Sequence, residues 1–280
     1  MKPSSFDYFR PDTPEQALEA LRSVGEDARL LAGGQSLMAV LNMRLAQPRL
    51  IIDISRIAAL KPVTVEDGKL VVRASATQAE VEWRPTLVNE VPLLALAFPN
   101  ISHFQIRNRG TVCGSIAHAD PSAELPLVLA VLNGDVVLRS ARRRRTVPAS
   151  SFFAGMLMTA REPDEMIEAV RYPLHVPGTG YGFVEHAMRH GDFALVAAAA
   201  VVRGDSIVIA IGGVADRPVV ERWPLLEGDA LESALNDFSW KLGAQDDAQV
   251  SAPYRRHLVR GLGMRAISQA RAHFSATMSA

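Results

Sequence analysis

Two glycine-containing segments have the residue types and positions to bind an anion through backbone N–H groups. The first is Gly33–Gly34, which joins the apolar run ARLLA to the helix-like run SLMAVLNMRL. The second is GTVCGS, residues 110–115. Glycine lets a backbone approach a ligand closely, and the free N–H groups at a helix start point toward a bound anion. Two such clusters together could hold a large ligand that has phosphates at its centre.

Two common nucleotide-binding motifs do not fit the first turn. The Rossmann fingerprint requires G-x-G-x-x-G, whereas the sequence reads G-G-Q-S-L from Gly33. A Walker A loop requires Gly-Lys-Ser/Thr, which does not follow either. Asp53 stands at about the spacing of the ribose-binding carboxylate of a Rossmann unit. Without the fingerprint, we interpret Asp53 as a residue that ends a strand.

The composition excludes several classes of function. The chain has 280 residues, which predicts two domains or one large one. Lys+Arg and Asp+Glu both number 30, whereas a nucleic-acid-binding protein usually has a strong basic excess. The basic run at 139–145, RSARRRR, is interpreted as a solvated turn, with 142–145 as a weaker candidate for protein docking. No apolar stretch reaches the length of a membrane span, and the N-terminus lacks a signal-peptide core. We therefore expect a cytoplasmic protein.

The cysteine and histidine content argues against a metal site in this chain. Cys113 is the only cysteine, so the chain can form neither an internal disulfide nor an iron–sulfur cluster of its own. His186 and His190 lie at the motif RHGDFAL without a carboxylate set that would complete a metal site. His118 is expected to be a structural hydrogen-bonding residue.

The elements that position the first turn alternate between strand and helix. FDYF predicts a strand, and Pro14 begins a helix that Thr13 caps, with Gln16 completing a capping box. ARLL and LIIDIS predict two further strands, one on each side of the short helix that follows Gly34. The first turn is thus expected between the end of a strand and the start of a helix.

The second turn lies in a segment that begins near Leu60, where the pattern of predicted elements changes. LVVR predicts a strand, and Thr77 with Glu80 predicts another capping box. A helix is expected after Pro121, and the sequence N-G-D at 133–135 predicts a β-hairpin turn. The C-terminal part alternates strand-like runs with one final helix.

Several long segments, in the same order, resemble one protein family. LAGGQSLMAVLNMRLAQPRLIIDIS and QIRNRGTVCGSIAHADPSAELP resemble the two flavin-binding signatures of the medium, FAD-binding subunit of the molybdenum hydroxylases. That family includes carbon monoxide, nicotine and caffeine dehydrogenases and the flavin domain of xanthine dehydrogenase. VEHAMRHGDFALVAAAAVV, AIGGVADRPV and YRRHLVRGL resemble its C-terminal part, so the resemblance covers nearly the whole chain.

The resemblance implies an α+β fold in two domains. Residues 1–176 would form a two-lobed FAD-binding domain of the vanillyl-alcohol-oxidase (PCMH) type, with lobes at about 1–57 and 58–176. Residues 177–280 would form a C-terminal domain, an antiparallel sheet with helices. The Gly- and Pro-rich segment YPLHVPGTGYG at 172–182 is a plausible boundary. Each glycine turn would belong to one lobe, and both would converge on the pyrophosphate of FAD.

The resemblance also assigns cofactor-binding roles to single residues. Around the diphosphate it places Ala32, Gly33, Gly34, Gln35, Ser36 and Leu37. At the second glycine turn, which would hold phosphate and ribityl oxygens of FAD, it places Thr111, Val112, Cys113, Gly114 and Ser115. Glu124 would contact the FAD sugar, Ile101 and Ile167 would make apolar contacts, and Phe193 would lie near the isoalloxazine ring. Core packing is the competing interpretation for Ile101, Ile167 and Phe193, and a carboxylate at a helix start is the competing one for Glu124.

Cys113 departs from the family pattern, which has glycine at that position. A side chain there puts close approach of the backbone to FAD in question. We expect a packing role for the thiol and no redox role.

The function implied by the resemblance is electron transfer. A small subunit with two [2Fe-2S] clusters would reduce FAD on this chain, and a large subunit would hold the molybdenum cofactor, in a dimer of heterotrimers. An external acceptor would then oxidise the flavin, and no catalytic acid–base residue is expected. Two alternatives remain: a self-sufficient flavin oxidoreductase, active as a single chain, and a flavin-free assembly module, which would be colourless.

Overall fold

The computed structural model describes residues 2–278, which form three main sheets and eleven helices. The strands are β1 (Asp7–Phe9), β2 (Ala28–Leu31), β3 (Leu50–Asp53), β4 (Val63–Glu66), β5 (Lys69–Arg73), β6 (Asp135–Arg139), β7 (Arg144–Pro148), β8 (Phe153–Gly155), β9 (Met158–Thr159), β10 (Met166–Pro173), β11 (Thr179–Ala187), β12 (Ala194–Arg203), β13 (Ser206–Gly212) and β14 (Val219–Pro224). The helices are α1 (Pro14–Val24), α2 (Leu37–Asn42), α3 (Gln78–Glu82), α4 (Leu87–Glu90), α5 (Pro92–Ala97), α6 (Phe104–Arg107), α7 (Val112–His118), α8 (Glu124–Val131), α9 (Ala149–Phe152), α10 (Gly228–Lys241) and α11 (Ala252–Met278). Single 3-10 turns lie at Gly25–Asp27, Ala58–Leu60 and Phe98–Asn100.

The first sheet is parallel, with strand order β1-β3-β2. Helix α1 covers it and buries Ala17, Leu18 and Leu21 in the same core as Ile52. The N-terminus of α1 is capped by the Thr13 hydroxyl, as predicted. The Gln16 side chain, however, accepts from the N–H of Asp12, one residue before the capping-box position. This β/α unit delivers the end of β2 to the first glycine turn.

The second sheet is antiparallel, with strand order β4-β5-β10-β6-β7. The predicted hairpin turn at 133–135 is wrong. Asn133 has φ 52°, and the Gly134 N–H donates to the Leu129 carbonyl, so these residues end α8 and lead into β6. An Asn or Gly in the left-handed region suits a helix C-terminus as well as a type I′ turn, and here the helix that precedes it decides.

The third sheet is antiparallel, in chain order β11-β12-β13-β14. Its two faces are covered by different layers, as the alternation of side chains along a strand requires. On β11, Val184 packs with the core beneath α10 and α11, while Tyr181 and Phe183 pack with the core of the second sheet. A Cβ on Gly180 or Gly182 would overlap α11 backbone carbonyls, so these glycines let the helix lie directly on the strand.

None of the helices within residues 2–278 is long and apolar enough to cross a membrane.

Candidate functional site

The two glycine turns lie in direct contact. A Cβ on Gly33 would overlap the Arg109 carbonyl oxygen and would lie 2.7 Å from the Gly110 Cα. On the Gly110 side, a Cβ would lie 3.5 Å from the Gln35 Cγ. The turns are far apart in the sequence and belong to different sheets, yet their backbones meet without intervening side chains. This is the arrangement expected of two parts of one binding site.

The first turn presents backbone donors just before α2. Gly34 has φ +75°, a conformation that favours glycine, and its carbonyl accepts from the Met38 N–H at 3.1 Å. The Gln35 carboxamide folds back to donate to the Gly33 carbonyl at 3.1 Å. Within residues 2–278, the N–H groups of Gln35 and Ser36 have no hydrogen-bond acceptor. They are therefore available to an oxygen-rich ligand.

The second turn is held by a helix cap. The Thr111 hydroxyl accepts from the Gly114 N–H at 2.9 Å, which caps α7. A Cβ on Gly114 would lie 2.6 Å from that hydroxyl, so the cap excludes any side chain at this position. A bridge between Thr77 and Thr111 and a hydrogen bond from the Gln78 N–H to the Gly110 carbonyl, 2.7 Å, fix the turn to α3.

Cys113 points away from the turn and into the protein. Its Sγ lies 3.3 Å from the Val72 carbonyl oxygen on β5, and 2% of the residue is exposed. Burial raises the pKa of the thiol to about 12, so it stays protonated and unreactive. The side chain in place of the usual glycine is accommodated in the core, where it leaves the ligand side of the backbone clear.

Gln78 is a candidate site residue that the sequence analysis missed. It is buried, and its Oε1 has no hydrogen-bond partner among the described residues. That oxygen lies 3.4 Å from the position of a Cβ on Gly110. A buried acceptor without a partner costs free energy unless a ligand or water satisfies it. The sequence signal was only indirect: Gln78 directly follows the capping residue Thr77.

Glu124 is the first residue of α8 and lies 8% exposed between the second turn and the third sheet. Burial raises the pKa of its carboxyl to about 7; the nearby charge of Asp120 adds to this effect, and that of Arg107 opposes it. The Arg107 guanidinium is itself held by the Glu82 carboxylate, at 2.7 and 3.0 Å, and by the Ile101 carbonyl at 2.8 Å. Glu124 therefore has no dedicated cationic partner.

The apolar and aromatic candidates occupy two different environments. Ile101 and Ile167 are buried in the main core beneath the second turn. Phe193 is 68% exposed in the loop between β11 and β12. That loop crosses the segment that contains Ile101, since a Cβ on Gly191 would lie 2.7 Å from the His103 ring. The structure thus places the loop that carries Phe193 against His103, two residues after Ile101, and leaves the Phe193 ring exposed.

His186 and the basic run 142–145 contact side chains of neighbouring elements. His186 faces Tyr254 at 3.4 Å, on the α11 side of the third sheet. No group of three or more His, Cys, Asp or Glu side chains within the described range could hold a metal ion. In the run 142–145, Arg143, Arg144 and Arg145 pair with acidic side chains, so most of its charge is balanced inside the fold.

Comparison with known proteins decides the family. Residues 4–175 match the family described as "FAD binding domain in molybdopterin dehydrogenase". The chain belongs to the medium, FAD-binding subunits of the molybdenum hydroxylases. It is therefore part of an oxidoreductase, and the predicted α+β fold of that family is confirmed.

Individual relatives of this medium subunit support the assignment over the whole chain. The nicotine 6-hydroxylase medium subunit of Paenarthrobacter nicotinovorans is 37% identical over 96% of this chain and 99% of its own length. The 6-hydroxypseudooxynicotine dehydrogenase complex subunit alpha of the same organism is 40% identical over 73% of this chain and 69% of its own. A solved structure of reconstituted CO dehydrogenase from Oligotropha carboxidovorans superposes with a TM-score of 0.93 at 30% identity, covering 98% of this chain and 100% of that chain.

The residues present in this medium subunit fit FAD, the cofactor of the family. The contact at Gly33 leaves no room for a Cβ where the two turns meet, and the Thr111 cap leaves none at Gly114, as close approach to a pyrophosphate requires. Unpartnered backbone donors lie at Gln35 and Ser36, and an unpartnered buried acceptor lies at Gln78. The role of each residue toward FAD remains a prediction.

Proposed function

We propose that this chain is the electron-transfer flavoprotein subunit of a heteromeric molybdenum hydroxylase. Electrons would arrive from the [2Fe-2S] clusters of a small partner subunit and leave for an external acceptor. The observation that supports this best is the backbone contact between Gly33 and Gly110. It joins the two segments that resemble the family's flavin-binding signatures into one candidate site, called the cradle below. FAD supplies the redox chemistry, and the protein supplies binding, orientation and electrostatics.

Each part of the cradle has a proposed role toward FAD. The first turn would bind the diphosphate through backbone N–H groups and the Ser36 hydroxyl, and the second would hold phosphate and ribityl oxygens. Glu124 would accept from sugar hydroxyls, and Phe193 would cover one face of the isoalloxazine. The full set is Ala32, Gly33, Gly34, Gln35, Ser36, Leu37, Ile101, Thr111, Val112, Cys113, Gly114, Ser115, Glu124, Ile167 and Phe193, to which the structure adds Gln78 as a candidate.

The domain division proposed here follows the sheets. Residues 1–176 would be the FAD-binding domain, which includes the first and second sheets, and 177–280 would be the C-terminal domain. Strand β10 ends at Pro173 and β11 begins at Thr179, so the proposed boundary falls in the connection between them.

Partner subunits are part of the proposal because this chain has one cysteine, and two [2Fe-2S] clusters need several thiolate ligands. Electrons from such clusters must therefore cross a subunit interface. A large molybdenum-cofactor subunit and a small iron–sulfur subunit would complete a heterotrimer, which would pair into a dimer of heterotrimers in the cytoplasm.

The test compares the isolated chain with the assembled complex. Both are purified with bound FAD and mixed anaerobically with the organic substrate of the complex. The complex should lose its flavin absorbance, while the isolated chain should remain yellow. Bleaching of the isolated chain would instead show a self-sufficient flavin oxidoreductase, and a colourless wild-type chain that takes up no FAD would show a flavin-free module.

A further inference from the structure

The turn between β8 and β9 exposes three consecutive apolar side chains. Gly155 pairs with Met158, so Met156 and Leu157 form the turn of a two-residue β-hairpin. The exposed fractions of Met156, Leu157 and Met158 are 61%, 53% and 61%. Contiguous exposed apolar side chains mark contact surfaces, and methionine is enriched in protein interfaces. These three residues are called the hairpin tip below.

The backbone of the hairpin tip adopts a conformation that leucine disfavours. Leu157 has φ 56°, in the left-handed region that a two-residue hairpin turn usually fills with Gly, Asn or Asp. A leucine there costs conformational free energy that glycine would not. Since the side chain is half exposed, its burial within this chain recovers only part of that free energy. Backbone outliers of this kind are concentrated at functional sites.

One short helix connects the hairpin tip to the cradle. The Leu157 N–H donates to the Ala119 carbonyl at 3.2 Å, and Ala119 caps the C-terminal end of α7. The N-terminal end of α7 is the second glycine turn, which Thr111 caps. A helix of this length spans about 10 Å. A partner seated on the hairpin tip would therefore lie close to a cofactor bound in the cradle.

The base of the hairpin contacts the connection between β13 and β14. The Arg217 guanidinium donates to the Phe153 carbonyl at 3.1 Å, and a Cβ on Gly155 would lie 3.3 Å from the Asp216 Oδ2. This connection leaves the third sheet at the end where β12 begins, because β12 and β13 are antiparallel neighbours. Phe193 directly precedes β12, so it lies at the same end of the sheet as the hairpin.

The hairpin thus has an apolar tip and a base bordered by charged side chains. An apolar centre with a polar rim is the usual composition of a protein interface. Among the proposed partners, the electron donor must lie beside the flavin, because electrons transfer only over short distances. The large subunit has no such constraint, since its electrons would pass through the clusters of the small subunit first.

We propose that the hairpin tip is the docking element for the small iron–sulfur subunit, with Leu157 inserted into an apolar groove of that partner. The proposal rests on the proposed function and deepens it, because it names the surface on which the electron donor binds. It assigns to the tip no contact with FAD and no redox role.

The experiment uses the full FAD-containing chain and the separately purified small and large subunits of its complex. Leu157→Asn removes the apolar side chain and supplies a residue that tolerates positive φ. Its affinity for the small subunit, measured by calorimetry, should fall at least about tenfold, with FAD occupancy unchanged. Leu157→Met keeps an apolar side chain at the same position and should retain binding.

Flavin reduction gives a second readout. The small subunit is reduced with dithionite, freed of excess reductant and mixed anaerobically with the chain. Leu157→Asn should slow flavin reduction at low concentrations of the small subunit. Saturating small subunit should restore the wild-type rate, because the tip contributes to docking and carries no electrons.

Leu225→Asn is the matched control. Leu225 is 43% exposed, and its N–H donates to the carbonyl of Asp205, which lies between β12 and β13 at the opposite end of the third sheet. This variant should bind the small subunit like wild type. Because asparagine relieves the strain at position 157, the thermal midpoint of Leu157→Asn should be no lower than that of Leu225→Asn. Loss of docking without greater instability separates a docking role from a folding defect.

The outcomes separate this inference from the proposed function. Wild-type affinity of Leu157→Asn for the small subunit would overturn the docking role and leave the relay function intact. A loss confined to the large subunit, or to self-association of the chain, would overturn it too, because the tip would then have another occupant. Failure of the wild-type chain to bind the small subunit would overturn the proposed function and the docking role together.

Discussion

Gly33 and Gly110 lie in backbone contact, with the Gly110 Cα 2.7 Å from the position that a Cβ on residue 33 would take. This contact joins the turn after β2 to the turn before α7, although these elements serve different sheets. A side chain at position 33 would overlap the backbone of Arg109 and Gly110 and force the turns apart. The contact therefore sets the spacing of the donors on both sides of the proposed cradle.

Gly34→Val should abolish FAD binding, because it forces a β-branched residue into φ +75° beside the diphosphate position. The backbone conformation alone should cost about 1–2 kcal/mol of stability. Gly25→Val is the matched control, since Gly25 has φ +65° and open space around it, at the end of α1. Destabilisation of both variants, with loss of FAD only in Gly34→Val, is the expected result, measured by unfolding and flavin occupancy. Full occupancy in Gly34→Val would show that the cradle is assigned to the wrong turn.

Cys113→Gly should preserve the flavin spectrum and the rate of cluster-to-flavin electron transfer within a few-fold. The thiol packs against β5 and has a pKa raised to about 12 by burial, so it is neither a redox group nor a nucleophile near neutral pH. The variant should lose about 1–2 kcal/mol of stability through the cavity and the helix glycine. In the folded wild type, a thiol reagent should react only after denaturant is added. A large loss of electron transfer in Cys113→Gly would assign a chemical role to the thiol.

Phe193→Ala should increase the fluorescence of bound FAD, because it removes the ring proposed to stack on the isoalloxazine. Since Phe193 is 68% exposed, the free energy of unfolding should change by no more than about 0.5 kcal/mol. Phe104→Ala is the control. Phe104 is 60% exposed, and it directly follows His103, the residue that the β11–β12 loop contacts at Gly191. If the fluorescence responds to Phe104→Ala and not to Phe193→Ala, the stacking residue is misassigned.

Arg145→Ala should destabilise the chain by roughly 3 kcal/mol, because it removes a bidentate partner from a fully buried carboxylate. The Arg145 guanidinium binds both Glu165 oxygens at 2.7 Å and also donates to the Ala160 carbonyl. Arg142→Ala, at an exposed arginine of the same run, should leave the unfolding free energy and partner binding unchanged. Reduced co-purification of the partner subunits with the Arg142 variant would revive the docking interpretation of the run.

Local signals in the sequence predicted the pieces of the site. The caps at Thr13 and Thr77 and the helix after Gly34 all formed, because each depends on hydrogen bonds between residues within one helical turn. A local signal of the same kind gave a wrong prediction at Asn133–Gly134, because an Asn-Gly dipeptide suits either a hairpin turn or a helix end. There the choice depended on the packing of α8 against the third sheet, chiefly β12 and β13.

The sequence by itself determined the family, the two glycine turns and the single cysteine, for which it predicted a packing role. Only the tertiary structure decided that Gly33 meets Gly110 and that Cys113 faces β5. These relationships join positions far apart in the chain, and they depend on how layers pack, since the face a side chain takes is set by register and burial. No local pattern of residue types contains that information, which is why the sequence did not predict Gln78 as a site residue.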